Sequence, residues 1–296
     1  MSALEEWKQR VADCRNARQR PDEEMWQRLA RWYDEWVAHN DYVDVILARI
    51  LPYLGRSTRV LEIGPGSGAF TIPLASRVRE LVTIEPSLAM REVLESNLAQ
   101  AGLSNVRIIP ERAEEGLESL GGPFDLALAA HSLYNISSID DVLQSLVALA
   151  RRTVVLMGIG EQSTWYRALH RRFKREDRIP SPHLGHLYPL LLDLGVCADV
   201  EVIWVSSNYV YETEEDLLDW WSYHLHLDGD RRTTLRSALL ALAERRGDGI
   251  GIYDRRRVAL VTIDANRNLS DQNGGCATAL SEALTSDLDD VLDLSG

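Results

Sequence analysis

Two carboxylates and three glycines occur at spacings that suit a ligand site. Glu62 lies inside the stretch VLEIGPGSG, just before Gly64-Pro65-Gly66-Ser67-Gly68, and Glu85 ends the stretch LVTIE. A strand, a glycine-rich turn and a helix bring backbone N–H groups close to a ligand. The spacing differs from the G-x-G-x-x-G of a dinucleotide site, because the third glycine comes one residue early. This pattern disfavours a nicotinamide dehydrogenase.

The positions of the carboxylates indicate the charge of the ligand. A carboxylate at Glu62 would repel a pyrophosphate and would suit a positively charged ammonium or sulfonium group. Glu85, which follows Gly64 by 21 residues, could accept hydrogen bonds from both hydroxyls of a ribose. The predicted ligand is therefore a nucleoside with cationic groups and no diphosphate, a description that S-adenosylmethionine fits.

An alternation of apolar strands and helices would position these residues. Strands are predicted at RVLEIG, ELVTIE, NVRIIP, FDLALAA and TVVLMGIG, with helices between them. Later stretches predict a long strand at ADVEVIWVSSNYVY, helix over Thr213 to Arg246 with a break near DGD, and a last strand at RRRVALVTID. Apolar strands of this length, separated by helices, are typical of a parallel sheet buried on both faces. The fold class is therefore α/β, with a doubly wound, mostly parallel, Rossmann-like sheet of seven strands.

The motifs VLEIGPGSG and VTIEPSLAM resemble the first two motifs of the class I S-adenosylmethionine-dependent methyltransferases, and the resemblance extends from Val60 to Gly158. It implies that the turn around Gly64, Gly66 and Gly68, together with Glu62, contacts the methionine part of the cofactor. It also implies that Glu85 binds the ribose.

The same resemblance assigns the adenine side of the site. Ser87, Leu88 and Met90 would lie near the adenine edge, although Met90 equally suits a helix core. The family often has Asp followed by Ala after the third strand, whereas this chain has Arg112 followed by Ala113. The adenine contact, assigned to Arg112 and Ala113, is therefore expected to differ from the usual one: Glu111 or Glu114 could substitute for the Asp, and the backbone of Ala113 could still contact the adenine.

Candidate catalytic residues follow the fourth predicted strand in LAAHSLYNI. The resemblance places His131 and Tyr134 near the sulfonium, because ligands bind where the strands of such sheets end. A neutral His131 could take a proton from an acceptor hydroxyl or amine, or it could merely orient the loop. Many methyl transfers need little more than positioning. No metal is predicted, because His183 and His186 lack nearby carboxylate or cysteine companions.

Five regions are expected: a helical cap over 1–51, the cofactor-binding core over 52–160, a helical lid over 161–198, the rest of the core over 199–263, and an acidic, flexible tail over 264–296. The predicted lid carries basic residues, one or two of which could grip an anionic acceptor: Arg167, Arg171, Arg172, Lys174, Arg175 and Arg178. The tail repeats leucine every four residues from Leu280 to Leu292 and could instead dock on its own body or on a twin subunit in a homodimer.

Composition limits the classes of function. The net charge is −13, and seven acidic residues against one arginine fall between Asp264 and Gly296. An acidic balance opposes non-specific binding of nucleic acid. There is no apolar signal segment at the N-terminus, no membrane-spanning run, and no C-x-x-C pair among the three cysteines. These features predict a soluble cytoplasmic protein without membrane partners.

Three functions are compatible with the sequence. The first is transfer of a methyl group from S-adenosylmethionine to O or N of a small-molecule, anionic, natural-product-like acceptor. The second is methylation of RNA, because LEIGPGSGAFTIPLA resembles the rRNA adenine dimethyltransferases, although AAHSLYN replaces their Asn-Pro-Pro-Tyr-like motif. The third is a non-catalytic module that holds a cofactor or a partner protein.

Overall fold

Ten strands and eleven α-helices make up the described chain. The computed structural model describes residues 1–17, 22–160, 163–174, 181–247 and 249–267. The strands are β1 (Arg59–Ile63), β2 (Glu80–Ile84), β3 (Val106–Ile109), β4 (Leu126–Ala130), β5 (Arg152–Gly158), β6 (Ala198–Ser206), β7 (Tyr209–Tyr211), β8 (Glu244–Arg246), β9 (Gly249–Ile252) and β10 (Arg255–Asp264). The helices are α1 (Ala3–Ala17), α2 (Asp22–Ala38), α3 (Tyr42–Ile50), α4 (Thr71–Ala75), α5 (Leu88–Gln100), α6 (Ala113–Gly116), α7 (Ile139–Leu149), α8 (Thr164–Lys174), α9 (Leu184–Asp193), α10 (Glu214–Leu225) and α11 (Asp230–Leu240).

The main sheet has seven strands in the order β3-β2-β1-β4-β5-β10-β6. The five strands from β3 to β5 are parallel, whereas β10 runs antiparallel to both of its neighbours, β5 and β6. The predicted seven-stranded, mostly parallel, doubly wound sheet is therefore confirmed. Because β10 is reversed, its first residues lie at the same edge as the carboxyl ends of β1, β4 and β5.

Helices cover both faces of this sheet. Alternate side chains such as Leu61 and Ala127 enter a core with α1, α7 and α9, whereas Val60 and Leu128 enter a second core with α2, α3 and α4. The period-two alternation of a strand produces these two sets. The strands are consequently apolar on both sides, as the sequence predicts for buried parallel strands.

The predicted cap and lid segments are distributed over several layers. In the N-terminal segment, Trp7 of α1 is buried and donates from Nε1 to the Ile136 carbonyl at 2.7 Å, on the α7 face. In the segment expected as a lid, α9 contributes Leu187 and Leu191 to that same core. Helix α8 instead packs into a third cluster with α10, α11 and the small sheet. None of the described helices is long and apolar enough to cross a bilayer.

Three predicted elements differ from the structure. The predicted strand ADVEVIWVSSNYVY is divided between β6 and β7, because the chain turns at Ser207, whose N–H donates to the Asp254 carbonyl at 2.8 Å. The helix predicted up to Arg246 ends at Leu240, and β8 then joins β7 and β9 in a separate sheet of order β7-β9-β8. The helix predicted at GAFTIPLASRV is shorter in the structure, where only Thr71–Ala75 is α-helical.

The last strand overlaps the predicted tail at one residue. Strand β10 ends at Asp264, the first residue of that tail, and the boundaries of the five regions stay predictions. The leucine repeat from Leu280 to Leu292 lies outside the described residues, as do Arg175 and Arg178 of the predicted lid.

Candidate active site

The glycine turn between β1 and α4 is tightly packed. Gly64, Gly66 and Gly68 have φ values of +65°, +58° and +102°, a region that L-residues with side chains rarely adopt. A Cβ atom on Gly64 would lie 2.5 Å from the Ser132 Cβ, and one on Gly68 would lie 2.8 Å from a methyl group of Leu94. The three glycines are thus required both by backbone conformation and by close approach of neighbouring elements.

Glu85 joins this turn to the start of α5. Its carboxylate accepts hydrogen bonds from the Gly66 N–H at 3.3 Å and from the Ser87 N–H at 3.0 Å, and the side chain is 7% exposed. The structure therefore brings the predicted ribose-binding carboxylate together with the predicted glycine turn. The guanidinium of Arg91 donates a hydrogen bond to the backbone carbonyl of Glu85 at 2.9 Å, which further fixes the backbone at Glu85.

Glu62 lies beneath the same turn. Its side chain is 1% exposed and accepts a hydrogen bond from the Thr71 hydroxyl at 2.7 Å. Burial raises the pKa of Glu62 to about 7; Thr71 opposes this shift and the carboxylate of Glu85 adds to it. A positive charge placed beside Glu62 would favour its ionised form. The pair of carboxylates therefore fits a ligand that carries a cation and two hydroxyls.

The predicted adenine residues lie in two different environments. Ser87 is the N-cap of α5, its hydroxyl accepting from the Met90 N–H at 3.4 Å, and both side chains are buried. Ala113 is buried in the core at the start of α6. The side chain of Arg112 is 46% exposed and forms an ion pair with Glu114 at 3.5 Å, so the unexpected arginine introduces no buried charge at this corner. Their contacts with adenine stay a prediction.

His131 and Tyr134 contact each other directly after β4. The Nδ1 atom of His131 lies 2.6 Å from the Tyr134 hydroxyl, which also accepts a hydrogen bond from the Gly158 N–H at 3.0 Å. His131 has a φ of +56°, and its Nε2 is buried without a hydrogen-bond partner among the described residues. Burial and, to a lesser extent, the charge of Arg256 lower the pKa of His131 to about 3; burial raises the pKa of Tyr134 to about 12. Both side chains are therefore neutral near pH 7.

Aromatic side chains of α2 and α3 cover this region. Tyr33 lies near the glycine turn, because its Cε1 would be 3.9 Å from a Cβ atom on Gly66. The ring of Trp36 lies 5.8 Å from that of Tyr33 and 5.3 Å from that of Tyr42. Tyr42 in turn lies 6.3 Å from the His131 ring. These three residues, here called the aromatic cap, connect the glycine turn with the candidate catalytic histidine.

Arg256 completes the site from the last strand. Its guanidinium carbon lies 5.3 Å from the centre of the Trp36 ring, a distance typical of a cation–π contact. The sequence alone predicts that the aromatic residues of the N-terminal helices mostly pack on helix faces and that some of them roof a pocket, whereas RRRVALVTID is predicted only as a strand. The sequence does contain a run of arginines at the start of that strand. Only the antiparallel direction of β10 places this run at the carboxyl edge of the sheet, beside the site.

The basic and histidine residues of 161–198 have other roles in the structure. Arg167, Arg171 and Arg172 lie on the exposed side of α8. His183 is the N-cap of α9 and accepts from the Gly185 N–H at 3.1 Å, while the Nδ1 of His186 accepts from the His183 N–H at 3.3 Å. These two histidines therefore close a helix end.

A comparison with protein families decides the class of this site. The model of a methyltransferase domain family matches residues 33–192, just over half of the chain. The chain belongs to this methyltransferase family. The match begins within α2 and ends within α9, so it includes the glycine turn, both carboxylates, His131 and Tyr134.

Individual relatives of this methyltransferase differ in what they match. A ribosomal RNA small subunit methyltransferase A from Desulforapulum autotrophicum is 37% identical over 81 residues, which cover 27% of this chain and only 28% of that relative. An uncharacterized protein from Haemophilus influenzae is 25% identical over 200 residues, covering 67% of this chain and 68% of its own length. The solved structure of a putative methyltransferase from Bacillus halodurans is 10% identical, with a TM-score of 0.52, and covers 74% of this chain and 98% of that one.

These findings confirm several predictions. The resemblance to class I methyltransferases, the Rossmann-like fold and the assignment as an enzyme are confirmed. Membership of the methyltransferase family supports the predicted cofactor, S-adenosylmethionine. The non-catalytic alternative is thereby disfavoured. The acceptor and the roles of single site residues stay predictions.

Proposed function

We propose that this methyltransferase transfers a methyl group to O or N of a small acceptor held between the aromatic cap and the carboxyl edge of the sheet. The observation that carries the proposal is the aromatic cap itself. Tyr33 adjoins the glycine turn, and Tyr42 adjoins His131. Two helices, α2 and α3, that pack this closely over the ends of the site favour a compact acceptor over a folded RNA, and they keep water from the reacting atoms.

The residues present fit S-adenosylmethionine. Glu62 would face the positively charged methionine part, and Glu85, already accepting two N–H bonds, would face the ribose hydroxyls. When bound, the cofactor supplies an activated methyl group. We assign binding and orientation to this chain's carboxylates and glycines.

His131 is the proposed proton acceptor, and Tyr134 is the residue that positions it. When Nδ1–H donates to the Tyr134 hydroxyl, Nε2 keeps its lone pair for the proton of an acceptor hydroxyl or amine. A pKa of about 3 makes the imidazole a weak base. Positioning of the acceptor is therefore expected to supply more of the rate than proton removal.

The test is methyl transfer from labelled S-adenosylmethionine to separated fractions of a cell extract. We expect label in the fraction of low-molecular-mass metabolites and none in RNA stripped of protein. Gly66→Val, which alters the glycine turn, should abolish the signal. Gly102→Val should retain it, because Gly102 also has a positive φ, +65°, but has no atom within 4 Å of its Cβ position.

A second candidate is methylation of RNA. It is favoured by the 37% identity to the ribosomal RNA methyltransferase over 81 residues. The net charge of −13 weighs against it, because affinity for RNA depends on neutralising phosphates. Label that appears in RNA and is removed by ribonuclease would favour this candidate and contradict the proposal above.

A further inference from the structure

We propose that Arg256 recognises an anionic group, a carboxylate or a phosphate, on the methyl acceptor. This inference rests on the proposed function, because it assigns the chemical class of the small acceptor. It also transfers the anion-gripping role from the basic residues predicted over 161–198 to the last strand of the sheet. Three observations support it: the location of Arg256, the buried donors on the same face that lack hydrogen-bond partners among the described residues, and the apolar side chains around it.

The location follows from the direction of β10. Arg256 is the second residue of that strand and lies at the edge where β4 and β5 end. It is also two residues from Val258, and the side chain of Val258 enters the core with Trp36. Because side chains alternate along a strand, Arg256 points to the face covered by α2. The contact with the Trp36 ring at 5.3 Å confirms this direction.

Three buried hydrogen-bond donors on this face lack acceptors among the residues that the structure describes. The Nε of Arg256 and the indole Nε1 atoms of Trp32 and Trp36 are buried and lack hydrogen-bond partners within the described part of the chain. Each of these groups can only donate. Burying several unsatisfied donors costs free energy. An oxyanion could offset this cost, because it could accept hydrogen bonds from more than one of them. A guanidinium is moreover the side chain best suited to bind a carboxylate or phosphate.

The side chains around Arg256 restrict the shape and polarity of the rest of the acceptor. The aromatic cap and the stacked pair of Trp32 and Trp220, whose ring centres are 4.0 Å apart, give this face an apolar character. His131 directly follows β4, which lies two positions from β10 in the sheet. An acceptor with an apolar, planar body could therefore bind its anionic group at Arg256 and present its nucleophilic atom toward His131.

The methionine carboxylate of the cofactor is the competing partner for Arg256. The glycine turn follows β1, which is three strands away from β10 in the sheet. At roughly 4.8 Å between neighbouring strands, this separation is about 14 Å, with His131 between the two positions. The geometry consequently favours the acceptor as the source of the anion.

The closing experiment measures binding of simple probes to protein loaded with S-adenosylhomocysteine. The probes are benzoate and phenyl phosphate, which combine an aromatic ring with an oxyanion, and benzamide, a neutral analogue of benzoate. Indole N–H signals of 15N-tryptophan report binding, and Trp32→Phe and Trp36→Phe identify the two relevant signals. The variants are Arg256→Met, Arg256→Lys and the matched control Arg255→Met, whose exposed guanidinium lies 5.8 Å from the Trp204 ring.

We expect at least one anionic probe to bind and to shift the Trp36 signal, and benzamide not to do so. Arg256→Met should weaken this binding by roughly 10- to 100-fold, the range for a lost hydrogen bond to a charged group. Arg256→Lys should weaken it less, and Arg255→Met should leave it unchanged. Thermal melting of each variant verifies that it is folded.

Three outcomes would overturn the inference. The first is failure of both anionic probes to bind, and the second is equal binding by wild type and Arg256→Met. The third is a loss of affinity for S-adenosylhomocysteine in Arg256→Met, which would assign the arginine to the cofactor. None of these outcomes depends on methyl transfer, so failure of this inference is distinguishable from failure of the proposed function, which the RNA and metabolite fractions test.

Discussion

At the scale of single residues, Glu62 should make cofactor binding depend on pH. Its pKa is raised to about 7 by burial, and an ammonium group beside it would stabilise the ionised form. Binding should therefore release a proton from Glu62 below pH 7. We expect the affinity for S-adenosylhomocysteine to increase from pH 5.5 to pH 7.5 and then to level off, as measured by calorimetry.

The matched variant is Glu62→Gln, which can still accept the hydrogen bond from Thr71 but does not titrate. It should bind more weakly than wild type at pH 7.5 and should lose the pH dependence. Calorimetry in buffers of different ionisation enthalpy counts the released protons directly. An unchanged pH profile in Glu62→Gln would remove Glu62 from the cation-binding role.

The glycine turn gives a second prediction at this scale. Gly66→Val forces a branched side chain into a left-handed backbone conformation, which costs about 1–2 kcal/mol, and places it beside Tyr33. Gly102→Val has the same backbone cost at the end of α5. Both variants should lose similar thermal stability, whereas only Gly66→Val should lose affinity for S-adenosylhomocysteine. Equal affinities would show that the turn is not part of the site.

The sequence was informative for the cofactor side of the site and less so for the acceptor side. Glu62, the glycines and Glu85 are consecutive along a strand–turn–helix unit, so local spacing was enough to group them. Tyr33, His131 and Arg256 are far apart in the chain. Only the sheet order and the direction of β10 bring them to one edge, and local patterns do not contain that information.

At the scale of elements, α2 is attached to the cofactor side through α5. The Asn97 amide on α5 donates to the Asp34 carboxylate of α2 at 2.9 Å and to the Ser67 carbonyl of the glycine turn at 3.0 Å. The Asn97 side chain thus connects α2, the glycine turn and α5.

Asn97→Ala should loosen this attachment. We expect faster hydrogen exchange of the amides in the second half of α2 and weaker binding of S-adenosylhomocysteine, by roughly 5- to 30-fold for one or two lost hydrogen bonds of about 1 kcal/mol each. The matched control is Gln100→Ala on the same helix, whose exposed amide donates to Ser96 at 3.2 Å. If both variants exchange at the same rate, Asn97 does not hold the cap.

Sequence reasoning was weakest for elements whose partners are distant. Strand β7 reads as a continuation of β6, because both are apolar and only two residues separate them. It pairs instead with β9, more than thirty residues later. The side chain of Asn40, on the connection after α2, fixes the break by bonding the Asn208 N–H at 2.7 Å and the Asn208 carbonyl at 3.1 Å.

At the scale of the whole molecule, two buried groups should give opposite slopes to the pH dependence of stability. Glu62 has a raised pKa, so its contribution falls as pH rises from 4.5 through 7, since the folded state then binds more protons. His131 has a lowered pKa, so its contribution falls as pH decreases from 6.5 toward 3.

The difference between wild type and Glu62→Gln isolates the first contribution. The variant should match wild type in stability near pH 4.5 and exceed it at pH 8, by on the order of 1–3 kcal/mol. Chemical denaturation of both proteins across this range provides the measurement. A constant difference at all pH values would contradict the raised pKa.

The reversed direction of β10 has a consequence for how acceptor choice can diversify. Arg256 lies beyond residue 192, where the match to the family model ends, and Trp32 lies just before residue 33, where it begins. The residues proposed to bind the methyl donor thus lie in the shared middle of the chain, and the proposed selectivity determinants flank it on both sides. Exchanging only these flanking segments between related enzymes would be a direct route to new substrates with the methyl-donor machinery left intact.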